Sequence, residues 1–126
     1  MSRTYTAALV LLALVAASCG GDGEPVGADP HGGHTTGNAL HVVAEDIGFE
    51  HDSFEATAGT VRIHYQNEGR IAHTFVLEGI DGFKLEVAGK DDTAEGSVTL
   101  EPGTYIVYCD VPGHREVGME AELRIT

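Results

Sequence analysis

Apolar and polar residues alternate with a period of two through most of the chain beyond residue 38. In TVRIHYQNEG, Val61, Ile63 and Tyr65 fall on one face, and Arg62, His64 and Gln66 on the other. HTFVL groups His73, Phe75 and Leu77, and GTYIVYC groups Tyr105, Val107 and Cys109. MEAELRI sets Met119, Ala121, Leu123 and Ile125 against Glu120, Glu122 and Arg124. LHVVAE, FEATAG, FKLEVAG and SVTLEPG are further strand segments, the last ending in a turn. Side chains on a strand point alternately to its two faces, so this period predicts half-buried strands. After the N-terminal segment no stretch carries a helical period. Many short strands with Gly and Pro between them predict an all-β chain folded as an antiparallel sandwich or barrel.

The same alternation places chemistry. His73, Cys109 and Met119 fall on the inward faces of their strands, where an imidazole or thiolate without a partner is costly. His114 lies in the loop DVPGHREVG, after the tight turn expected at Pro112 and Gly113. Cys109, His114 and Met119 are evenly spaced, with four residues between each pair. Each has an ordinary reading on its own: an inert buried Cys, a core-filling Met, a core His bonded to a carbonyl, a surface loop His. Together they are three inward groups and one loop group that can meet at one end of a sandwich, and a metal accounts for all four. Thiolate, thioether and imidazole form a soft set, which favours copper.

The N-terminus sets the compartment. Arg3 precedes the apolar run AALVLLALVAA, and small residues lead into Cys19. That run has the length of a signal-peptide core and falls short of the roughly 20 residues of a membrane span. Small residues before a cysteine are similar to a bacterial lipobox, with Ala16 where Leu is more usual, so plain secretory cleavage stays open. Residues 1–18 are expected to be a signal peptide of the lipoprotein type and Cys19 the lipidated residue. Residues 19–38, rich in Gly, Pro and Asp, are expected to form a flexible tether and residues 39–126 one compact domain. His31 and His34 in the tether read as incidental. With Cys19 at the cleavage site, Cys109 is a lone thiol in an oxidising compartment, a liability unless something occupies it. The formal net charge of −13, more negative once Arg3 is removed, argues against nucleic acid as a partner and favours basic proteins.

The segment YIVYCDVPGHREVGM resembles the ligand loop of the cupredoxins, the small blue copper proteins such as plastocyanin, azurin and rusticyanin. NEGRIAHTFVL resembles their first-ligand strand and EPGTYIVYC the strand leading to their cysteine. The three pieces occur in family order, and the resemblance covers nearly all of residues 40–126. It implies a Greek-key β-sandwich of about 7–8 strands holding one type 1 copper ion. His73, Cys109 and His114 would form the trigonal plane and Met119 the weak axial contact. It further implies a monomeric electron carrier with no catalytic residues, with His114 as the electron port and Tyr108 at the position of a second, more remote one. Two departures stand out. Thr74 follows His73 where many members have Asn, and Asp110 follows Cys109 where a small hydroxyl residue is common. A Thr74–Asp110 hydrogen bond is expected to replace the usual tie between the ligand loops, with Asp110 and Glu116 tuning the potential.

His64 reads as a solvated surface residue, and neither His41 nor His51 has a partner at ligand spacing. No H-x-H pair supplies the other coppers of a multicopper oxidase, and one loop cysteine cannot build a binuclear centre. The expected function is a one-electron shuttle exported and tethered by an N-terminal lipid, facing the periplasm or the outside. Its partners would be basic-faced redox proteins such as c-type cytochromes or oxidase subunits. The alternative is an exported copper carrier or buffer, which needs exposed, adaptable ligands. A Cys109–His114 nucleophilic enzyme lacks a third orienting group and leaves Met119 unexplained.

Overall fold

The structure, a computed structural model, describes residues 38–126. The expected signal peptide, Cys19 and the histidines His31 and His34 lie outside the described residues. Nine strands run in chain order: β1 (Ala39–Glu45), β2 (Gly48–Phe49), β3 (Ser53–Ala56), β4 (Gly59–Asn67), β5 (His73–Leu77), β6 (Lys84–Val87), β7 (Thr93–Leu100), β8 (Gly103–Tyr108) and β9 (Glu120–Ile125). They form two sheets, one in the order β2-β1-β4-β7 and the other β3-β9-β8-β5-β6. A single turn of 3-10 helix, Arg115–Val117, interrupts the loop before β9.

The alternation settles which faces meet. Leu40, Val42, Val61, Ile63 and Tyr65 of the first sheet are fully buried against Phe54, Phe75, Leu77, Val107 and Leu123 of the second. Their polar neighbours in sequence face out. An aromatic cluster fills the middle, with Phe49, Tyr65 and Phe83 around Phe75 at ring-centroid separations of 5.8–6.4 Å. Such edge and tilted contacts add to area burial. The Tyr65 hydroxyl crosses between sheets to donate to the carbonyl of Thr74 at 3.3 Å.

The structure corrects the antiparallel expectation at two places. β1 pairs with β4, and β3 with β9, in parallel. Between β1 and β4 the chain visits β3 in the opposite sheet, and a strand that returns after such a crossing can enter in the same direction as its neighbour. Asn38, the last residue of the expected tether, is already held. Its side-chain amide donates to the Thr60 carbonyl at 2.6 Å and its oxygen accepts from the Thr57 N–H at 3.1 Å.

Candidate metal centre

Three elements deliver the site. His73 opens β5, Cys109 follows the last residue of β8, and His114 enters the 3-10 turn. His73, Cys109 and His114 each bring a ligand atom to within 4.8 Å of the others. Cys109 Sγ lies 3.5 Å from Nδ1 of His114, and the two imidazole centroids are 5.1 Å apart. Met119 is fully buried and held beside Cys109 through the backbone. Its carbonyl accepts from the Cys109 N–H at 3.2 Å, while its own N–H donates to the His114 carbonyl at 3.0 Å. Gly118, at φ 107°, makes the left-handed turn that brings the chain from His114 back to Met119.

Burial is unequal. His73 is 1% exposed and Cys109 is fully buried, whereas His114 is only half-buried at the molecular surface. Both ring nitrogens of His73 are buried with no hydrogen-bond partner among the described residues. A buried ring nitrogen without a hydrogen bond, within 4.8 Å of a thiol sulfur and a second imidazole nitrogen, has the placement of a metal ligand. The donors are two imidazoles, one thiolate and an adjacent thioether, so the residues fit a single type 1 copper ion.

Burial pushes the His73 imidazole below its ordinary value near 6.5, and the neighbouring His114 adds to the shift; the charge of Asp46 and the backbone of Glu45 oppose it. Folded metal-free protein therefore keeps His73 neutral where the unfolded chain protonates it, so stability falls as the pH drops below about 6.5. Thermal unfolding of metal-free protein should show a lower Tm at acid pH. A His73→Asn variant should show a shallower slope, and an unaltered slope would contradict this origin. Burial, reinforced by the charge of Cys109, also raises Tyr65, which stays a neutral phenol beneath the site.

The expected Thr74–Asp110 hydrogen bond is present, and it belongs to a longer chain. Thr74 Oγ1 donates to Asp110 Oδ1 at 2.7 Å and accepts from the Asp110 N–H at 2.8 Å. The Thr74 N–H points at Cys109 Sγ from 3.3 Å. Lys84 on β6, which the sequence did not single out, donates to Asp110 Oδ2 at 3.0 Å. Burial alone would raise the Asp110 carboxyl, but the bonds from Thr74 and Lys84 outweigh it and hold the group below its ordinary value. Thr74→Val should leave the Asp110 N–H unpaired and cost about 1–3 kcal/mol in chemical unfolding. It should also displace the thiolate band and the reduction potential; an unchanged spectrum, potential and copper retention would remove Thr74 from any role.

Three further residues shape the loops around His73 and His114. Asn67 is fully buried: its amide donates to the Ile71 carbonyl at 2.8 Å and its oxygen accepts from the Gly69 N–H at 2.9 Å. It folds the loop that delivers His73. Gly69 is packed so closely that a Cβ would sit 2.8 Å from Asp46 Oδ1 and from the Glu45 backbone. Arg115, next to His114, bonds Glu120 at 2.7 Å and Glu78 at 2.9 Å, and its guanidinium lies 4.2 Å above the Tyr108 ring. Tyr108 is therefore half-buried beneath a cation rather than open. Glu116 is exposed.

Solved structures share this architecture. An auracyanin from Roseiflexus castenholzii superimposes with a TM-score of 0.64 at 15% identity, covering 73% of this chain and 99% of its own. Auracyanin A of Chloroflexus aurantiacus, a "blue" copper protein, gives 0.58 at 21% identity, covering 70% and 98%. Reduced rusticyanin gives 0.55 at 24%, covering 73% and 82%. The fold is that of the cupredoxins. No family model and no curated protein sequence matches the chain. At these identities the likeness establishes the cupredoxin fold, and the copper chemistry rests on the donors described above.

Proposed function

We propose that the chain is an exported single-electron carrier built around one type 1 copper site, which His73, Cys109 and His114 would hold together with Met119. The observation that carries this reading is the buried His73, one ring nitrogen of which stands within 4.8 Å of the Cys109 sulfur and a His114 nitrogen with no hydrogen bond among the described residues. A bound copper ion supplies a Cu(II)/Cu(I) couple. The chain's own contribution is to keep the donors still. Sγ of Cys109 is fixed by the Thr74 N–H, and the Cys109–Met119–His114 backbone bonds set the loop without help from the metal. Ligands that barely move between oxidation states keep the reorganisation barrier low. The thiolate and nearby carboxylates favour the oxidised ion and lower the potential; Lys84 offsets Asp110, and the apolar shell raises it.

His114, the half-buried ligand, is the outlet we assign for electrons, and Tyr108 under Arg115 the more remote one. Val117, three residues beyond His114 in the same loop, is 66% exposed. In this reading residues 1–18 direct export, a lipid on Cys19 anchors the chain, and residues 19–38 tether the domain. The charge of −13 selects basic redox partners such as c-type cytochromes. Association with such a partner should slow as ionic strength rises; a flat salt dependence would argue against charged docking.

A copper carrier is the second reading, and the burial of His73, Cys109 and Met119 weighs against it. Repeated one-electron reduction and reoxidation in the presence of a chelator separates the two. The carrier of electrons cycles with its copper retained; a carrier of copper loses the ion to the chelator.

A further inference from the structure

The outer face of the four-stranded sheet carries two histidines and a glutamate side by side. Parallel pairing sets His41 of β1 directly opposite His64 of β4, and antiparallel pairing sets His64 opposite Glu95 of β7. Their neighbours Leu40, Val42, Ile63 and Tyr65 are fully buried, so strand alternation turns all three outward. The two imidazoles stack with centroids 5.0 Å apart and planes 16° from parallel. Glu95 Oε1 lies 2.8 Å from Nδ1 of His64.

We propose that His41 and His64 form a surface site for a divalent transition-metal ion, with Glu95 as the residue that positions His64. The carboxylate accepts the Nδ1 proton, which fixes the tautomer and leaves Nε2 of His64 with its lone pair free. This is the carboxylate–histidine arrangement that supports metal-bound imidazoles. To share an ion at about 2.0–2.1 Å from each nitrogen, the ring tips must lean together from their stacked spacing. His41 is exposed, so rotation about its side-chain bonds achieves this without moving the core. Imidazole donors select first-row ions such as Cu(II), Zn(II) and Ni(II) over Ca(II) or Mg(II), with Cu(II) bound most tightly. The negative field of the whole chain draws such cations in, although Arg62 stands two residues from His64 on the same face. With no thiolate in the set, copper held there gives a pale, nitrogen-coordinated centre, distinct from the one at Cys109.

This site does not depend on the electron-carrier reading, and the test keeps them apart. Full-length protein is titrated with Cu(II), following electron paramagnetic resonance for total protein-bound copper and the visible spectrum for thiolate coordination. The expected result is one equivalent of bound, non-blue Cu(II) assigned to the sheet face, whatever happens at Cys109. His41→Asn and His64→Asn should each weaken that equivalent at least tenfold with the visible spectrum unchanged, and Glu95→Gln should weaken it by roughly tenfold. A non-blue equivalent that survives both histidine substitutions and vanishes in a His31→Asn/His34→Asn double variant would overturn the proposal. So would the absence of any non-blue equivalent in the unsubstituted protein.

Discussion

Cys109→Ser is expected to abolish the intense visible band of the copper-loaded protein and to release the ion readily to a chelator. A serine hydroxyl stays protonated where the thiol ionises, and its oxygen is a harder donor than sulfur. The change removes one of three side chains whose potential donor atoms lie within 4.8 Å of one another. Its effect on affinity should exceed the roughly 10–100-fold that accompanies loss of a ligand's supporting hydrogen bond. The fold should survive, because Cys109 is held mainly by a backbone bond to Met119 and by the packed sheet around it. Unfolding of the metal-free variant should therefore track the unsubstituted protein closely. A variant that kept its band would place the sulfur outside the metal's coordination.

Asn67→Leu is expected to be the most damaging single change away from the ligands. Leucine nearly matches the shape of asparagine but offers no hydrogen bonds, so the buried Gly69 N–H and the part-buried Ile71 carbonyl both lose a partner. Each orphaned group costs about 1–3 kcal/mol when buried, giving roughly 2–6 kcal/mol at most for the two. A small domain has only about 5–15 kcal/mol of stability, so the urea midpoint should fall visibly. The same loop runs directly into His73, so the loaded variant should also show a weaker or shifted thiolate band. An unaltered midpoint would mean that water replaces both bonds and that Asn67 does not hold the loop.

Much of this molecule was legible in its sequence because period-two alternation is a direct record of which side chains face the core. All eight segments picked out by that pattern are strands, and His73, Cys109 and Met119 point inward as their parity demands. β2 escaped because two residues, Gly48 and Phe49, cannot display a period. The start of β7 escaped because Thr93–Gly96 lies at a sheet edge and holds no large apolar residue. Alternation assigns faces but not neighbours, and the remaining surprises share that cause. The parallel pairings, the reach of Lys84 to Asp110, and the meeting of His41 with His64 all depend on which strands lie side by side. His41 looked unpartnered because its partner stands 23 positions away, and only the register of β1 on β4 brings the rings together. Asn67 was not singled out, since nothing local in QNEG shows that its side chain will be sealed inside.

The most direct test is the visible spectrum of the purified protein during addition of Cu(II), followed by one-electron reduction. The account predicts an intense thiolate-to-copper band that saturates at one equivalent, bleaches on reduction and returns on reoxidation without loss of metal. A protein that binds copper through this site with only a pale spectrum, or that takes up none, would contradict it.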